Sequence, residues 1–359
     1  MVSATKGTVL VPTVTYSALV AKVCQLRHCW CVSNHVPTKR TSWICLAMYF
    51  PDPYPDELLG SVFIRASHHL GLTPRALYSA LSNRSDGELS FIYPCAIAEV
   101  AGLLSMSRRE VLLQHTVFPY ICIGLDSARR SDLEEQLSES SASSSSLRLR
   151  STFPGHIEAL SFRRLCRKCQ RYDIETWGED YWHRIHALPG VLVCPIHGSP
   201  LHSSRVPLLA HISPKYNVLP HEVPCDQVGE SVNEAQLRTL ASEVEAALRP
   251  EGSFWDYCLQ SCQHAASSCG YEYRAHAKTD AHLAVDFESY FGRSLLGQLG
   301  LSLVARSSGG WPVEVLRGRR PAMQLQLRFI LLRMFLLDPV RTGGQQTEPF
   351  AATSCCQRP

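Results

Sequence analysis

Four residues are spaced to hold one metal ion. Cys166 and Cys169 form a C-x-x-C pair, and twenty-four residues later Cys194 and His197 form a C-x-x-H pair. Each pair can grip an ion from one tight turn. Two such turns close the tetrahedron that Zn²⁺ prefers. Four protein ligands leave no position for a reactive water, so the pattern predicts one structural Zn²⁺ and no catalytic residue. His183, His186 and His202 lack the paired spacing and are left outside the ligand set. A zinc hydrolase would need an open position and a base, as in H-E-x-x-H, and no such motif occurs. Nor is there a G-x-x-x-x-G-K-[ST] phosphate loop, so ATP hydrolysis by this chain is not expected.

The second chemistry on offer is phosphate contact. Arg163, Arg164, Arg167, Lys168 and Arg171 crowd the first metal pair, and Asp173, Glu175, Glu179 and Asp180 follow. They read either as phosphate ligands or as a solvated face balanced by its acidic neighbours. Ser107, Arg108 and Arg109 open a segment that reads either as the second helix of a helix-turn-helix or as an ordinary helical hairpin. From Arg306 to Arg341 there are seven arginines, including Arg317, Arg319 and Arg320, against Glu314 and Asp338. The formal net charge of the whole chain is only +3, so a nucleic-acid surface has to come from such clusters.

The elements that must position these residues are mainly helical. Asp56 is expected to cap a helix with Leu58, Leu59, Val62 and Phe63 inward, Arg65 outward and Gly71 at its end. Thr73-Pro74 opens the next helix, with Leu77 and Leu81 inward. Segment 95–115 reads as helix, glycine turn at Gly102, and a helix capped by Ser105 or Ser107. His115 reads as a structural histidine at a helix end. Seven serines between Ser138 and Ser146 mark a linker. Trp177, Tyr181, Trp182 and Ile185 fall at helical spacing, either as a base-stacking platform or as the small core behind the zinc site. Beyond it, 233–248 is an amphipathic helix. Residues 254–270 form another, whose Cys258, Cys262, His264 and Cys269 read as core thiols before a second metal site. Residues 287–303 read as a short helix–turn pattern, and within 311–337 Pro321 can start a helix with Leu325, Phe329, Leu332 and Leu336 in one apolar stripe.

The fold class is therefore mainly α, with a small central zinc-binding module and helix-turn-helix-like units on either side. The domains are 1–47, an extension ahead of a start at Met48; 48–131, helical; 132–160, a Ser-rich linker; 161–206, the zinc module; 207–340, a helical Arg-rich DNA-binding unit; and 341–359, a disordered tail. Residues 1–47 also carry Cys24, Cys29, Cys31 and His35, an alternative metal set. Fifteen cysteines, odd in number and scattered, suit free thiols in a reducing compartment. No run of eighteen apolar residues occurs, so no membrane partner is expected.

The series PDPYPDELLGSVFIRAS, then QHTVFPY, then the C-x-x-C, then WGEDYWHRIHALPGVLVCPIHGSPL resembles the TniQ/TnsD family of transposon target-selection proteins. The resemblance covers about 48–337. It implies a non-enzymatic adaptor that binds double-stranded DNA at an insertion site, or docks on an RNA-guided CRISPR-type effector, and recruits an AAA+ ATPase. It assigns the zinc to Cys166, Cys169, Cys194 and His197, and partner contact to the N-terminal segment with Tyr54, Asp56, Glu57 and Leu58. It implies action in the bacterial cytoplasm, on the nucleoid. Longer TnsD-type members continue past the end of this chain, and their extra region contributes to site-specific recognition.

Overall fold

A computed structural model describes residues 49–82, 87–125, 127–139, 161–227, 234–249, 259–271, 280–303, 310–318 and 325–338. Expectations for 1–47, 140–160 and 341–359, and for Arg319 and Arg320, lie outside those residues.

Prolines at 51, 53 and 55 hold the chain extended ahead of α1, Leu59–Leu70. Every residue of α1 from Leu59 to Ser67 is buried, so this helix is enclosed on all sides. Its N-cap is Leu58, which has no capping side chain. The orphan N–H groups are met from outside: Leu58 N–H donates to the Trp182 carbonyl at 3.1 Å and Leu59 N–H to the His115 carbonyl at 2.7 Å. Asp56 is thus not the cap of α1, and Arg65 does not point outward but is 2% exposed. Gly71 ends the helix with φ +63°. Helix α2, Pro74–Ser82, starts as its sequence dictates, with Ala76 N–H donating to Thr73 Oγ1 at 3.2 Å.

Helices α3, Ile97–Leu104, and α4, Arg108–Gln114, form the expected pair, but the turn differs. Gly102 lies inside α3, and Ser105, at φ +53°, breaks it. Ser107 caps α4 in a reciprocal box with Glu110. A short α5, Phe118–Ile121, follows, and α6, Ser127–Glu139, packs on both α3 and α4. The first residues of the serine-rich tract are therefore helical.

The centre is a three-stranded antiparallel sheet in the order β1, Phe162–Leu165, β2, His202–Pro207, and β3, Cys225–Gln227. Arg164 pairs with Ser203 and Leu165 with His202, and a bulge falls between Phe162 and Arg164. Helix α7, Arg167–Trp177, and a 3₁₀ turn, Ile185–Ala187, lie between β1 and β2.

The C-terminal part holds α8, Glu234–Ala246, α9, Leu259–Ser268, α10, Asp280–Phe291, α11, Arg293–Gln298, α12, Gly310–Leu316, and α13, Leu325–Leu336. Segment 311–337 holds two helices, and Phe329, Leu332 and Leu336 of the expected stripe are buried on the second. Helix α13 packs on α8, α9 and α12 and reaches back to the N-terminal part. Gln326 Nε2 donates to the Ile121 carbonyl at 3.1 Å, and a Cβ on Gly124 would sit 2.4 Å from the Phe329 ring. One apolar core runs without a break from Phe50 to Leu336. The protein is mainly α with a small central module. No helix among the described residues is long and apolar enough to cross a membrane.

Candidate metal centre

The two knuckles come together from different local devices. Cys166 is the N-cap residue of α7 and accepts Gln170 N–H at its carbonyl, which places Cys169 in the first turn of the helix. The second knuckle is a tight loop: Gly198 N–H donates to the Cys194 carbonyl at 2.7 Å, and Cys194 N–H to the Ser199 carbonyl at 2.8 Å. Gly198 adopts φ +61°, open to glycine and costly for other residues.

The four donor atoms of Cys166, Cys169, Cys194 and His197 all lie within 4.8 Å of one another. Cys169 Sγ is 3.6 Å from Cys194 Sγ, and His197 Nδ1 is 3.7, 3.3 and 3.6 Å from the sulfurs of Cys166, Cys169 and Cys194. A tetrahedral Zn²⁺ with Zn–S about 2.3 Å and Zn–N about 2.0–2.1 Å would set these edges at about 3.6–3.8 Å. The donor set fits such an ion in kind, number and size. The three sulfurs are buried. Hydrogen bonds from Cys169 and Cys194 hold the Cys166 thiol below its ordinary value, and the contact with Cys166 pushes the thiols of Cys169 and Cys194 up. One thiolate thus forms easily and opposes the next; a dication removes that opposition. Among the described residues no second such group occurs. Cys262 is a core thiol, and Cys269 donates to the Leu336 carbonyl at 3.5 Å; Cys258 lies outside the described residues.

The insert between the knuckles is where the sequence reading needs most correction. Helix α7 ends at Trp177 with Gly178 at φ +83°, so Trp177, Tyr181, Trp182 and Ile185 do not share a helix face. Trp182 is 1% exposed, donates Nε1–H to the Val218 carbonyl at 2.9 Å and meets the Phe91 ring edge-on. Tyr181 donates its hydroxyl to the Pro55 carbonyl at 2.9 Å. These rings are core, and only Trp177 is exposed, stacked on Tyr54 at 4.9 Å.

Two of the basic candidates are also internal. Arg164 is 5% exposed and donates to the carbonyls of His186, at 3.1 Å, and Leu188, at 2.6 Å. Arg163 is 1% exposed and lies 3.6 Å from the Phe91 ring centre. Its guanidinium has no hydrogen-bond partner among the described residues, and burial lowers its pKa to about 9. Neither presents charge to a phosphate, because β1 is packed between β2 and the 3₁₀ turn and both side chains are buried there. Arg167, Lys168 and Arg171 are exposed on α7. Arg108 and Arg109 are exposed on α4, with Arg109 Nε 2.7 Å from Glu134. Arg317 is half-buried after α12. Arg333 Nη1 pairs with Glu243 at 2.7 Å, and Arg328 lies 5.1 Å from the Trp311 ring centre.

The Tyr54–Leu58 motif is likewise turned inward. Glu57 and Leu58 are 0% and 1% exposed, so they offer no surface to a partner. The Glu57 carboxylate accepts from Arg65 Nη1 at 2.7 Å, Ser61 Oγ at 2.8 Å and Tyr54 N–H at 2.9 Å. Asp56 accepts from Arg184 Nε at 3.1 Å and from Ile185 N–H at 3.0 Å. Tyr54 donates to Glu179 at 2.9 Å beneath the Arg65 guanidinium. Sequence reasoning missed Glu179, Arg184 and His186 as partners of the motif and the metal site. Only the WGEDYWHRIH run, with its density of polar and aromatic types, signalled them.

Comparison with known proteins agrees with this layout. Residues 48–201 match the TniQ family model, a span that runs from just before α1 to just past the second knuckle. The chain is 24% identical over 315 residues, 83% of its length, to the transposon Tn7 transposition protein TnsD of Escherichia coli. It spans 61% of that relative's length.

Proposed function

We propose that this chain, whose residues 48–201 match the TniQ family model, is a TniQ-type, non-enzymatic DNA-binding adaptor of transposition that takes part in target-site selection and recruits an AAA+ ATPase regulator. The observation that carries this reading is the placement of α7. The helix starts on ligand Cys166 and buries Cys169 and Asp173 against the metal centre, while Arg167, Lys168 and Arg171 face solvent. On a helix these three positions fall within one sector of about 100°, so the cations form one stripe on an element locked by the metal knuckles. Such a stripe suits a phosphate backbone. Zn²⁺ would supply the cross-link and no chemistry, since four donors fill its shell. Arg108 on α4, and the Arg317–Arg320 segment, are second positions for DNA contact.

The N-terminal motif contributes differently from what its resemblance implies. With Glu57 and Leu58 buried, the face left for a partner is the corner where Tyr54 stacks on Trp177, with Ile174 one turn away; Trp177 and Ile174 are 40% and 45% exposed. We assign the ATPase to that corner. The relationship to TnsD, a transposition protein by name, supports the biological setting.

Fluorescence anisotropy with the zinc-loaded full chain on a labelled duplex, across a salt series, tests the first part. Affinity should fall as salt rises, and the Arg167→Ala/Lys168→Ala/Arg171→Ala variant should flatten that slope by about 1 per lost phosphate contact. No duplex binding by the loaded protein at any salt rejects the reading. Binding with an unchanged slope in the triple variant takes the interface off α7. A pull-down of the ATPase by wild type but not by Trp177→Ala tests the second part.

A further inference from the structure

The metal centre has an asymmetry that its four donors do not explain. Three thiolates around a dication leave one net negative charge, here in a buried setting. Such charge is stabilised by N–H or O–H groups aimed at the sulfurs. Cys166 has two, Ser199 Oγ at 3.4 Å from its Sγ and the backbone N–H of Cys169, and Cys194 has the backbone N–H of His197. Cys169 is buried, 3% exposed, and among the described residues its sulfur has no hydroxyl partner. What it meets is His186, whose Nε2 is 4.0 Å from its Sγ.

His186 stands on the 3₁₀ turn and is 1% exposed. Its backbone is pinned by Arg164, which donates to the His186 carbonyl at 3.1 Å. Its ring leans on His183 at 5.0 Å, and His183 is itself held by Asp173 at 2.9 Å from the buried side of α7. The ring is therefore oriented by both knuckle-side elements. Its Nδ1 is buried with no hydrogen-bond partner among the described residues. An imidazole carries at least one N–H, and only Nε2 has an acceptor in reach.

We infer that His186 donates its Nε2–H to the Cys169 thiolate and is a positioning residue that sets how firmly the centre holds its metal. Ser199 performs the same service for Cys166. The pair divides the excess negative charge between two sulfurs and lowers the reactivity of both. His186 is not a fifth ligand: the four donors fill the tetrahedron, and its ring approaches one sulfur from outside it. This inference rests on the reading of the four donors as a metal site, so metal content is measured first. A wild type that retains no Zn²⁺ sinks that reading, whereas the outcomes below concern His186 alone.

Two variants separate a hydrogen bond from mere packing. His186→Phe keeps a ring and removes the N–H, while His186→Gln loses the ring and keeps an amide N–H. With loaded full-length protein, zinc release to a chromophoric chelator and alkylation of Cys169 relative to Cys194, read by mass spectrometry, are compared. The Phe variant should release zinc and alkylate Cys169 about 10-fold faster, and the Gln variant should stay close to wild type. Equal loss in both, or no change in Phe, overturns the proposal. The wild type supplies a test that no folding failure can block. A long-range ¹H–¹⁵N spectrum of the loaded protein should show His186 as the Nε2–H tautomer, and an Nδ1–H tautomer overturns the inference.

Discussion

The Asp56 carboxylate accepts the backbone N–H of Ile185 at 3.0 Å, across 129 residues of chain. The same residue accepts Arg184 N–H at its carbonyl, at 2.7 Å, and the Arg184 guanidinium at its other carboxylate oxygen. Asp56 sits at φ +54°, a backbone region that aspartate tolerates better than most residues. The most acidic part of the N-terminal motif is thus a cap, as its type suggests, but for the 3₁₀ turn of the metal module. The module is built into the N-terminal helical part rather than hung beside it.

Replacing Asp56 by alanine should therefore cost stability throughout this region. It orphans the Ile185 N–H and leaves Arg184, 8% exposed, without its carboxylate. A loss of about 2–4 kcal/mol is expected, read as a lower midpoint in thermal or urea unfolding of the loaded protein. A residue that only touched a partner would show wild-type unfolding and weaker partner capture.

Metal removal should act through the same joint. The 24 residues between the knuckles carry Arg184 and Trp182 to α1 and to the segment before it, so opening the knuckles frees the ends of that insert. One Zn²⁺ per chain is expected by elemental analysis. Stripping it should expose Trp182 to solvent quenchers and abolish a cooperative transition in the N-terminal half. A stripped protein with unchanged Trp quenching and unfolding would show that the knuckles stand without their ion.

What could be read in the sequence follows from range. The four metal ligands are legible because each knuckle is a local turn whose chemistry needs fixed spacing. Gly71, Thr73-Pro74 and the Ser107 box are legible for the same reason: a cap is satisfied within a few residues. Arg65, Arg163 and Arg164 are misread as surface because charge argues exposure unless the surroundings are known: Arg163 is buried against Phe91, Arg164 meets carbonyls 22 and 24 residues on, and Arg65 is enclosed between Glu57 and a distant carboxylate. Arg65 meets Glu179 114 residues away. The spacing from Trp177 to Ile185 mimics a helix, but Gly178 takes a left-handed conformation and stops it. Nothing local distinguishes a glycine inside a helix, such as Gly102, from one that ends it.

The two adjacent arginines of β1 should respond in opposite ways to loss of charge. Arg164 satisfies the carbonyls of His186 and Leu188, so Arg164→Met orphans both and should cost about 2–4 kcal/mol. Arg163 satisfies no hydrogen bond among the described residues and contributes packing and a cation–π contact with Phe91. Arg163→Met keeps much of the packing and removes a buried charge. Its stability should lie within about 1 kcal/mol of wild type or above it. Urea unfolding of both variants decides the matter, and an Arg163→Met protein as damaged as Arg164→Met would mean that its guanidinium has an essential partner.

Falling pH should remove the stabilisation that Glu179 contributes. Burial pushes this carboxyl upward, but the hydrogen bond from His69 and the charge of Arg65 outweigh that and hold it at about 2. Its folded value is below the unfolded one, so the unfolded chain takes up the proton first. The stabilisation is present in full above about pH 4.5 and is lost as pH falls toward about 2. Discounted for partial exposure, it is worth about 1–2 kcal/mol. Glu179→Gln should be less stable than wild type by that amount at pH 7, and the gap should begin to close as pH falls below about 4.5. The comparison is made on the loaded proteins over the pH range in which both keep their metal. A difference that stays constant over the whole range would show that Glu179 acts by shape and not by charge.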